Sequence, residues 1–255
     1  MSEHLVITGT SGSIGAALAR ALRARHPRAR LSLLDVSPGP SRALADALGG
    51  EARALECDLS SSDEAAAALG RARDAIGPVA GLVNCAGVME VADFERLEWS
   101  RAEALLTIDL VSPLRLMHAA VPDMLARGGG FVVNVASMAG KVTLPGCAFY
   151  GAAKAGLAMA SEIARRELGP RGVRVVTVYP GPVASALEAR AKAQYGDGWL
   201  TRVVPTGDAD ELAERVAEAV VRDAPRVVYP TAYTLGWLAI ASPFALRFGP
   251  RPGSG

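Results

Sequence analysis

Short runs of apolar residues alternate with longer stretches of helical periodicity along most of the chain. The apolar runs, which predict strands, lie at 5–8, 31–35, 52–57, 81–85, 131–135, 173–178 and 226–229. The predicted helices follow the first run as far as Arg25 and then cover about 41–48, 62–76, 100–127, 150–168 and 208–223. Strands that alternate with helices form parallel sheets covered on both faces. The pattern therefore predicts an α/β fold with a single doubly wound parallel sheet of about seven strands. No Pro- or Ser-rich linker divides it, so we expect one domain over residues 1–255.

Two segments depart from this alternation. Residues 182–206 form a long insertion after the sixth strand, at the sheet edge where a substrate lid is expected, and they include Tyr195 and Trp199. The tail at about 231–255 is apolar as far as Phe248 but is interrupted by Pro243. It is too short and too broken to span a membrane, which takes about 20 residues. It is either a core-packing or dimer-forming segment, or a membrane-surface patch or the wall of a hydrophobic substrate site.

Composition narrows the class of protein. The 27 basic and 26 acidic side chains nearly cancel, which argues against a nucleic-acid-binding face. Cys57, Cys85 and Cys147 lack metal-ligand spacing, and their small, odd number suits a reducing compartment. The first residues show no signal-peptide layout. We therefore expect a cytoplasmic protein with no metal site.

Tyr150 and Lys154 are four residues apart on a predicted helix, so both side chains project from one face. An ammonium beside a phenol stabilises the phenolate and lowers the phenol pKa. A shift from about 10 to near 7 requires roughly 4 kcal/mol, and an exposed ion pair supplies about 1 kcal/mol or less. The pair would therefore need a cleft and a second positive charge, such as oxidised nicotinamide. The alternative is a core aromatic residue and a lysine on a solvated face.

A glycine-rich turn lies between the first strand and the first helix. It reads Gly9-Thr10-Ser11-Gly12-Ser13-Ile14-Gly15, and Asp35 closes the next strand twenty residues after Gly15. This context is typical of a dinucleotide site, with the pyrophosphate at the helix N-terminus and the acid on the adenosine ribose. No Arg or Lys lies in the turn or directly after Asp35, so the sequence favours NAD over NADP. Asp35 as an ordinary turn residue is the alternative.

Several motifs, in this order and spacing, resemble a known family. They are Thr8-Gly9 to Gly15, Asp58-Leu59, Asn84-Cys85-Ala86-Gly87, Ser137 with Tyr150 and Lys154, and Pro180-Gly181-Pro182-Val183-Ala184-Ser185. From about residue 4 to residue 230 the chain resembles the classical, single-domain type of short-chain dehydrogenase/reductase, which has a Rossmann fold. The family usually forms homodimers or homotetramers through its two long helices, here about 100–127 and 150–168.

The resemblance implies a role for each matching residue. Tyr150 would be the acid/base group, Lys154 would assist it and hold the nicotinamide ribose, and Ser137 would bind the substrate oxygen. The implied cofactor contacts are Gly9, Ser11, Gly12, Ser13, Ile14, Gly15, Asp35, Asp58, Leu59, Asn84, Ala86, Gly87, Tyr150, Lys154, Pro180, Gly181, Val183 and Ser185. Asp58 would alternatively cap the helix that begins near Ser61, and Asn84 would alternatively bridge strands.

The chain departs from the family pattern at two places. Ser13 stands where the middle glycine is usual, a spacing closer to the extended branch of the superfamily. Asp109 stands where the family usually has asparagine, the fourth member of its catalytic set. If that residue acts through its backbone carbonyl, aspartate can substitute for it; a charged side chain would instead weaken the effect of Lys154 on Tyr150. We expect retained activity with an altered pH profile.

The resemblance predicts an NAD-dependent oxidoreductase that interconverts a secondary alcohol and a ketone. The apolar lid and tail favour a hydrophobic substrate of steroid, terpenoid or acyl type. Two alternatives remain open. One is a sugar-nucleotide reductase or epimerase, which the Gly12 spacing suggests and the chain length disfavours. The other is a non-catalytic dinucleotide-binding sensor or subunit, against which intact Ser137, Tyr150 and Lys154 argue.

Overall fold

The computed structural model describes residues 3–195 and 206–234 and contains seven strands and eight α-helices within them. The strands are β1 His4–Thr8, β2 Arg30–Asp35, β3 Ala52–Glu56, β4 Gly81–Asn84, β5 Gly130–Val135, β6 Val173–Pro180 and β7 Arg226–Tyr229. The helices are α1 Ser13–Arg25, α2 Pro38–Leu48, α3 Ser62–Ile76, α4 Trp99–Leu106, α5 Ser112–Ala126, α6 Ala148–Leu168, α7 Ala186–Tyr195 and α8 Ala209–Arg222. The seven predicted strands are all present.

All seven strands join one parallel sheet in the order β3-β2-β1-β4-β5-β6-β7. The order reverses between β1 and β4, because the chain first winds outward through β2 and β3 and then returns to the other side of β1. In open α/β sheets a crevice forms at such a reversal, outside the carboxyl ends of the strands. The predicted doubly wound fold is confirmed, and it locates the site at the ends of β1, β2 and β4.

Two apolar cores lie on opposite faces of the sheet. On one face, Leu18 and Leu22 of α1 and Val216 of α8 pack against strand residues such as Leu33. On the other face, residues of α3, α5 and α6 cover Leu82 and its neighbours in the strands. Burial of each large aliphatic side chain contributes about 1.5–3 kcal/mol. Burial on both faces explains why the strands are continuous apolar runs rather than alternating ones.

The structure refines three of the predicted segments. The long helix predicted at 100–127 is divided by a π-helical turn at Thr107–Val111. Within the predicted lid, α7 was not expected; residues 196–205 of that lid lie outside the described residues. The predicted tail is described only as far as Thr234, so its apolar part at 235–255 is outside them too.

The helical segment Trp99–Ala126 is long and apolar enough to cross a membrane by length and composition alone. Its α5 part packs against α3, β4 and β5, and its α4 part packs against α6. These contacts bury part of the segment.

Candidate active site

The glycine turn brings the chain from β1 into α1 along a path that side chains would block. Gly9 has a φ of +73°, and its added Cβ would lie 2.6 Å from Ala86 Cα. A Cβ at Gly15 would collide with the carbonyl oxygen of Gly9. The first turn of α1 has no side-chain cap, so its N–H groups can bind an anion. Ser13, at the position where the family usually has glycine, donates from Oγ to the Ala184 carbonyl oxygen at 3.3 Å.

Asp35 is buried at the carboxyl end of β2, and backbone donors bind both of its oxygens. Oδ2 accepts from the Ser11 N–H at 2.8 Å, and Oδ1 accepts from the Ser37 N–H at 2.9 Å. The carboxylate therefore fastens the glycine turn to the end of β2. Each oxygen keeps a further lone pair, so a pair of hydroxyls can still be bound there.

A cavity of about 500 Å³ opens above the carboxyl ends of β1, β2 and β4. The predicted cofactor contacts among its lining residues are Gly9, Ser11, Gly12, Ser13, Ile14, Gly15, Asp35, Asp58, Leu59, Ala86, Gly87 and Ser185. The lining residues that the sequence analysis missed are Leu34, Val36, Cys57, Cys85, Val88, Ile108, Ala186 and Leu187. Most of these adjoin a predicted residue in sequence. Val36, which is apolar and exposed, directly follows Asp35, and this position in the sequence was a sign that it lines the same cavity.

Six predicted contacts lie outside the lining of this cavity: Tyr150 and Lys154, which are described below, and Asn84, Pro180, Gly181 and Val183. Asn84 is buried, and its Nδ2 donates to Asn134 Oδ1 at 2.8 Å, which supports the alternative that it bridges β4 and β5. Val183 is buried in the core, and Gly181 packs under Tyr233. Pro180 ends β6.

Asp58 does not cap α3. Its Oδ1 accepts from the Ser60 N–H at 2.8 Å, whereas Ser61 is the N-cap and accepts from the Glu64 N–H. The side chain of Asp58 is exposed at the cavity rim, which leaves it accessible to a ligand.

Ser137, Tyr150 and Lys154 meet beside the cavity. Ser137 follows β5, and its hydroxyl hydrogen-bonds Tyr150 at the start of α6. Lys154 lies one turn further along α6, with its Nζ 5.9 Å from the centre of the Tyr150 ring. Nζ donates to the Val135 carbonyl oxygen at 3.2 Å, and the side chain is only 4% exposed. The alternative of a lysine on a solvated face is therefore wrong.

Asp109 lies within the π-helical turn, and its side chain is fully buried beside Lys154. Its Oδ2 is 3.6 Å from Lys154 Nζ, and its Oδ1 accepts from the Val88 N–H at 2.9 Å. Burial raises the pKa of this carboxyl to about 6, against the opposing effects of Lys154 and the Val88 N–H. Gly87 makes room for the pair, since an added Cβ there would lie 3.1 Å from Nζ and 3.2 Å from Oδ1.

The expected lowering of the Tyr150 pKa does not occur in the protein alone. Burial raises this pKa above that of an ordinary phenol, the negative charge of Asp109 raises it further, and only the hydrogen bond from Ser137 lowers it among the main influences. The Asp109 carboxylate, 3.6 Å from Lys154 Nζ, opposes the effect of Lys154, which is the alternative that the sequence left open. Among the described residues no cation is a main influence on the Tyr150 pKa, so its lowering requires a further positive charge, as expected from the sequence.

The cavity has the features that a bound dinucleotide requires. The glycine turn follows a tight path close to the cavity, α1 presents unpaired N–H groups, and Asp35 can accept hydroxyl hydrogen bonds. At the other end of the same crevice, Gly87 adjoins Lys154. These features are those of a dinucleotide-binding oxidoreductase fold.

The comparison with known sequences identifies the family. Residues 3–196 match the short chain dehydrogenase profile, and the chain belongs to that family. D-threitol dehydrogenase of Mycolicibacterium smegmatis is 34% identical over 215 residues, which cover 82% of each chain. Trans-4-hydroxycyclohexanecarboxylate dehydrogenase of Sinomonas cyclohexanicum is 32% identical over 219 residues, which cover 81% of this chain and 82% of that one. The protein is accordingly an alcohol dehydrogenase or ketoreductase.

A solved structure agrees with this assignment. The short-chain dehydrogenase from Sphingobium yanoikuyae in complex with NADPH superimposes with a TM-score of 0.82 at 27% identity, and the match covers 94% of this chain and 92% of that one.

Proposed function

We propose that this protein is an NAD-dependent oxidoreductase that interconverts a secondary alcohol and a ketone, with Tyr150 as its acid/base group. The observation that carries the proposal is the convergence of Ser137, Tyr150 and Lys154 on a crevice that fits a dinucleotide. The single-domain organisation expected from the sequence is part of this proposal, since the glycine turn after β1 and the helix that carries Tyr150 belong to elements packed on one sheet.

The cofactor and the three site residues have separate roles in this reaction. NAD supplies hydride acceptance and, in its reduced form, hydride donation. Ser137 holds the substrate oxygen by a hydrogen bond and fixes its distance from Tyr150. The phenol of Tyr150 gives a proton to a ketone oxygen, and its phenolate takes the proton from an alcohol. Lys154 would hold the ribose hydroxyls next to the reacting ring, and its charge favours the phenolate.

The surroundings of Tyr150 support an apolar substrate. Leu105 and Cys147 pack against the tyrosine, and the partly buried side chains of Met89, Val91 and Leu144 adjoin the same cluster. Of the predicted lid, Trp199 and the side chain of Tyr195 lie outside the described residues, as does the apolar part of the predicted tail. We propose an alcohol that presents a hydrocarbon face to this cluster, which includes the steroid, terpenoid and acyl types.

Asp35 supports NAD as the preferred form of the cofactor. A carboxylate at the ribose position repels a 2′-phosphate, and the nearby residues Ser11, Val36 and Ser37 supply no compensating cation. The NADPH in the Sphingobium structure belongs to that protein, so the preference needs its own measurement. Fluorescence titration with NADH and NADPH should show at least about a tenfold preference for NADH, equivalent to about 1.4 kcal/mol.

Two variants make the cofactor titration specific. Asp35→Ala should abolish the preference, and Asp46→Ala, an exposed aspartate on α2, should preserve it. A tenfold preference of the wild type for NADPH would contradict the proposal.

Turnover tests the role of Tyr150. Cyclohexanol, D-threitol and trans-4-hydroxycyclohexanecarboxylate serve as probe alcohols with added NAD⁺. Tyr150→Phe should lower kcat by about 10²–10⁴-fold, the usual contribution of a general acid/base. Tyr179→Phe is the matched control, because it removes a phenol hydroxyl whose partner is Glu162 at 2.6 Å, outside the site. Equal turnover by wild type and Tyr150→Phe would refute the assignment.

The cellular setting is also a proposal. Cys57, Cys85 and Cys147 are free thiols, which supports a reducing, cytoplasmic location. Met159 and Ile163 of α6 and Val111 beside α5 expose apolar side chains, which supports self-association as a homodimer or homotetramer. Light scattering would establish the oligomeric state.

A further inference from the structure

The carboxylate of Asp109 is held in a way that directs its charge at the acid/base pair. One oxygen accepts from the Val88 N–H at 2.9 Å. The other, Oδ2, has no hydrogen-bond partner among the described residues and lies 3.6 Å from Lys154 Nζ. The side chain is fully buried, so water does not screen this charge. Lys154 thus faces the Asp109 carboxylate as well as the phenol of Tyr150.

An asparagine could keep the backbone bond without the charge. Its Oδ1 would accept from Val88 as the aspartate does, and its amide would fill the same space beside Gly87. What aspartate adds is a buried negative charge next to Lys154. That charge disfavours a second anion nearby and offsets the cation that would stabilise it.

We propose that Asp109 is a positioning residue that acts through Lys154 and keeps Tyr150 in its proton-donating phenol form to a more alkaline pH than an uncharged side chain at this place would. The effect of Asp109 on the reaction rate rests on the proposed function, because the Asp109 charge sets the pH at which Tyr150 changes from proton donor to proton acceptor. Its chemical content, the ionisation of one phenol, does not depend on any substrate.

The other groups around Tyr150 do not replace this effect. Cys147, just before α6, and Glu188 of α7 act on the Tyr150 pKa in the same direction as Asp109 but less strongly. Burial raises the pKa of Cys85, at the end of β4, to about 12, so this thiol stays neutral over the working range. Asp109 itself has a pKa of about 6, so it is charged at neutral and alkaline pH and loses its influence in more acidic solution.

Direct titration of the phenol tests the inference on the protein without substrate. Phenolate and phenol differ in ultraviolet absorbance, and subtracting the curve of Tyr150→Phe isolates the contribution of Tyr150 from those of the other tyrosines. The same subtraction in the Asp109→Asn background uses the double variant. The midpoint should fall by about one pH unit or more on removal of the buried charge. Asp74→Asn, an exposed aspartate on α3, is the matched control and should leave the midpoint unchanged.

A second variant without the charge keeps the test valid if Asp109→Asn does not fold. Asp109→Ser should show the same direction of shift, with circular dichroism used to verify folding of both proteins. Equal midpoints in wild type and the folded Asp109 variants would overturn the inference. The absence of a Tyr150-specific signal in all of them below the pH of alkaline unfolding would overturn it as well.

The pH dependence of steady-state kinetics provides an independent test. With NAD⁺ and a probe alcohol that the wild type oxidises, the pH midpoint of kcat/KM should fall by about one unit in Asp109→Asn. An unchanged midpoint would contradict the inference. If no probe alcohol is oxidised by the wild type, it is the proposed function that fails in this assay, and the absorbance titration still decides the inference.

Discussion

Replacement of Asp109 by asparagine should change how stability depends on pH. The carboxyl has a pKa of about 6 in the folded protein against 3.8 for the unperturbed group. A carboxyl whose pKa is raised by folding contributes stability that is fully present below 3.8 and is lost as the pH rises through about 6. The difference between these two pKa values corresponds to about 3 kcal/mol. About half of that loss falls between roughly pH 5 and 8, where the folded group titrates.

The assay is urea denaturation of wild type and Asp109→Asn across this range. The free energy of unfolding of the variant relative to wild type should rise by about 1–2 kcal/mol from pH 5 to pH 8. A constant offset at all pH values is separate, because it reports the altered packing of the new amide beside Lys154. Asp74→Asn should show no such slope. A relative stability of Asp109→Asn that stays constant with pH would refute the claim that a buried carboxylate ionises there.

Two further predictions concern close packing and a second buried titrating group. Gly87→Ala should lower kcat/KM by about tenfold or more and destabilise the fold by about 1–3 kcal/mol, because the new methyl group would lie 3.1 Å from Lys154 Nζ. Steady-state kinetics and urea denaturation measure these two effects, and full activity of the variant would contradict the prediction. His4 is buried between the Gly77 carbonyl and the Ser32 hydroxyl, and burial lowers its pKa below 6.5. The contribution of neutral His4 to stability is therefore present above pH 6.5 and is lost as the pH falls. The free energy of unfolding of His4→Gln relative to wild type should accordingly rise from pH 8 to pH 5. A relative free energy that stays constant or falls would contradict this.

The fold followed from the sequence because its inner strands are buried on both faces and therefore form nearly unbroken apolar runs. The one helix that was missed shows the limit of that signal. Residues 186–195 carry alanines and charged side chains without an apolar stripe, so periodicity could not reveal α7. The start of α2 at Pro38 was missed for a related reason, since its first turn, Pro38-Gly39-Pro40, resembles a loop in sequence.

The chemistry of the site was only partly readable from the sequence. Motif spacing brought Ser137, Tyr150 and Lys154 together correctly, because a strand end and one helical turn have fixed geometries. The sequence could not reveal that Asp109 would be fully buried or which of its oxygens would face Lys154. Both depend on the π-helical turn at Thr107–Val111 and on the space left by Gly87, which are tertiary features.

That pairing changes the physical account of the acid/base group. A lysine one turn from a tyrosine suggests a phenol whose pKa is already lowered, yet burial and Asp109 together raise it here. Lys154 beside Asp109 is one positive charge against one negative charge, so the pair has little net charge with which to stabilise a phenolate. The described part of the chain therefore favours the protonated form of Tyr150, the proposed acid/base group. Ionisation of Tyr150 at neutral pH requires a further positive charge in the crevice, so alcohol oxidation should depend more steeply on alkaline pH than ketone reduction does.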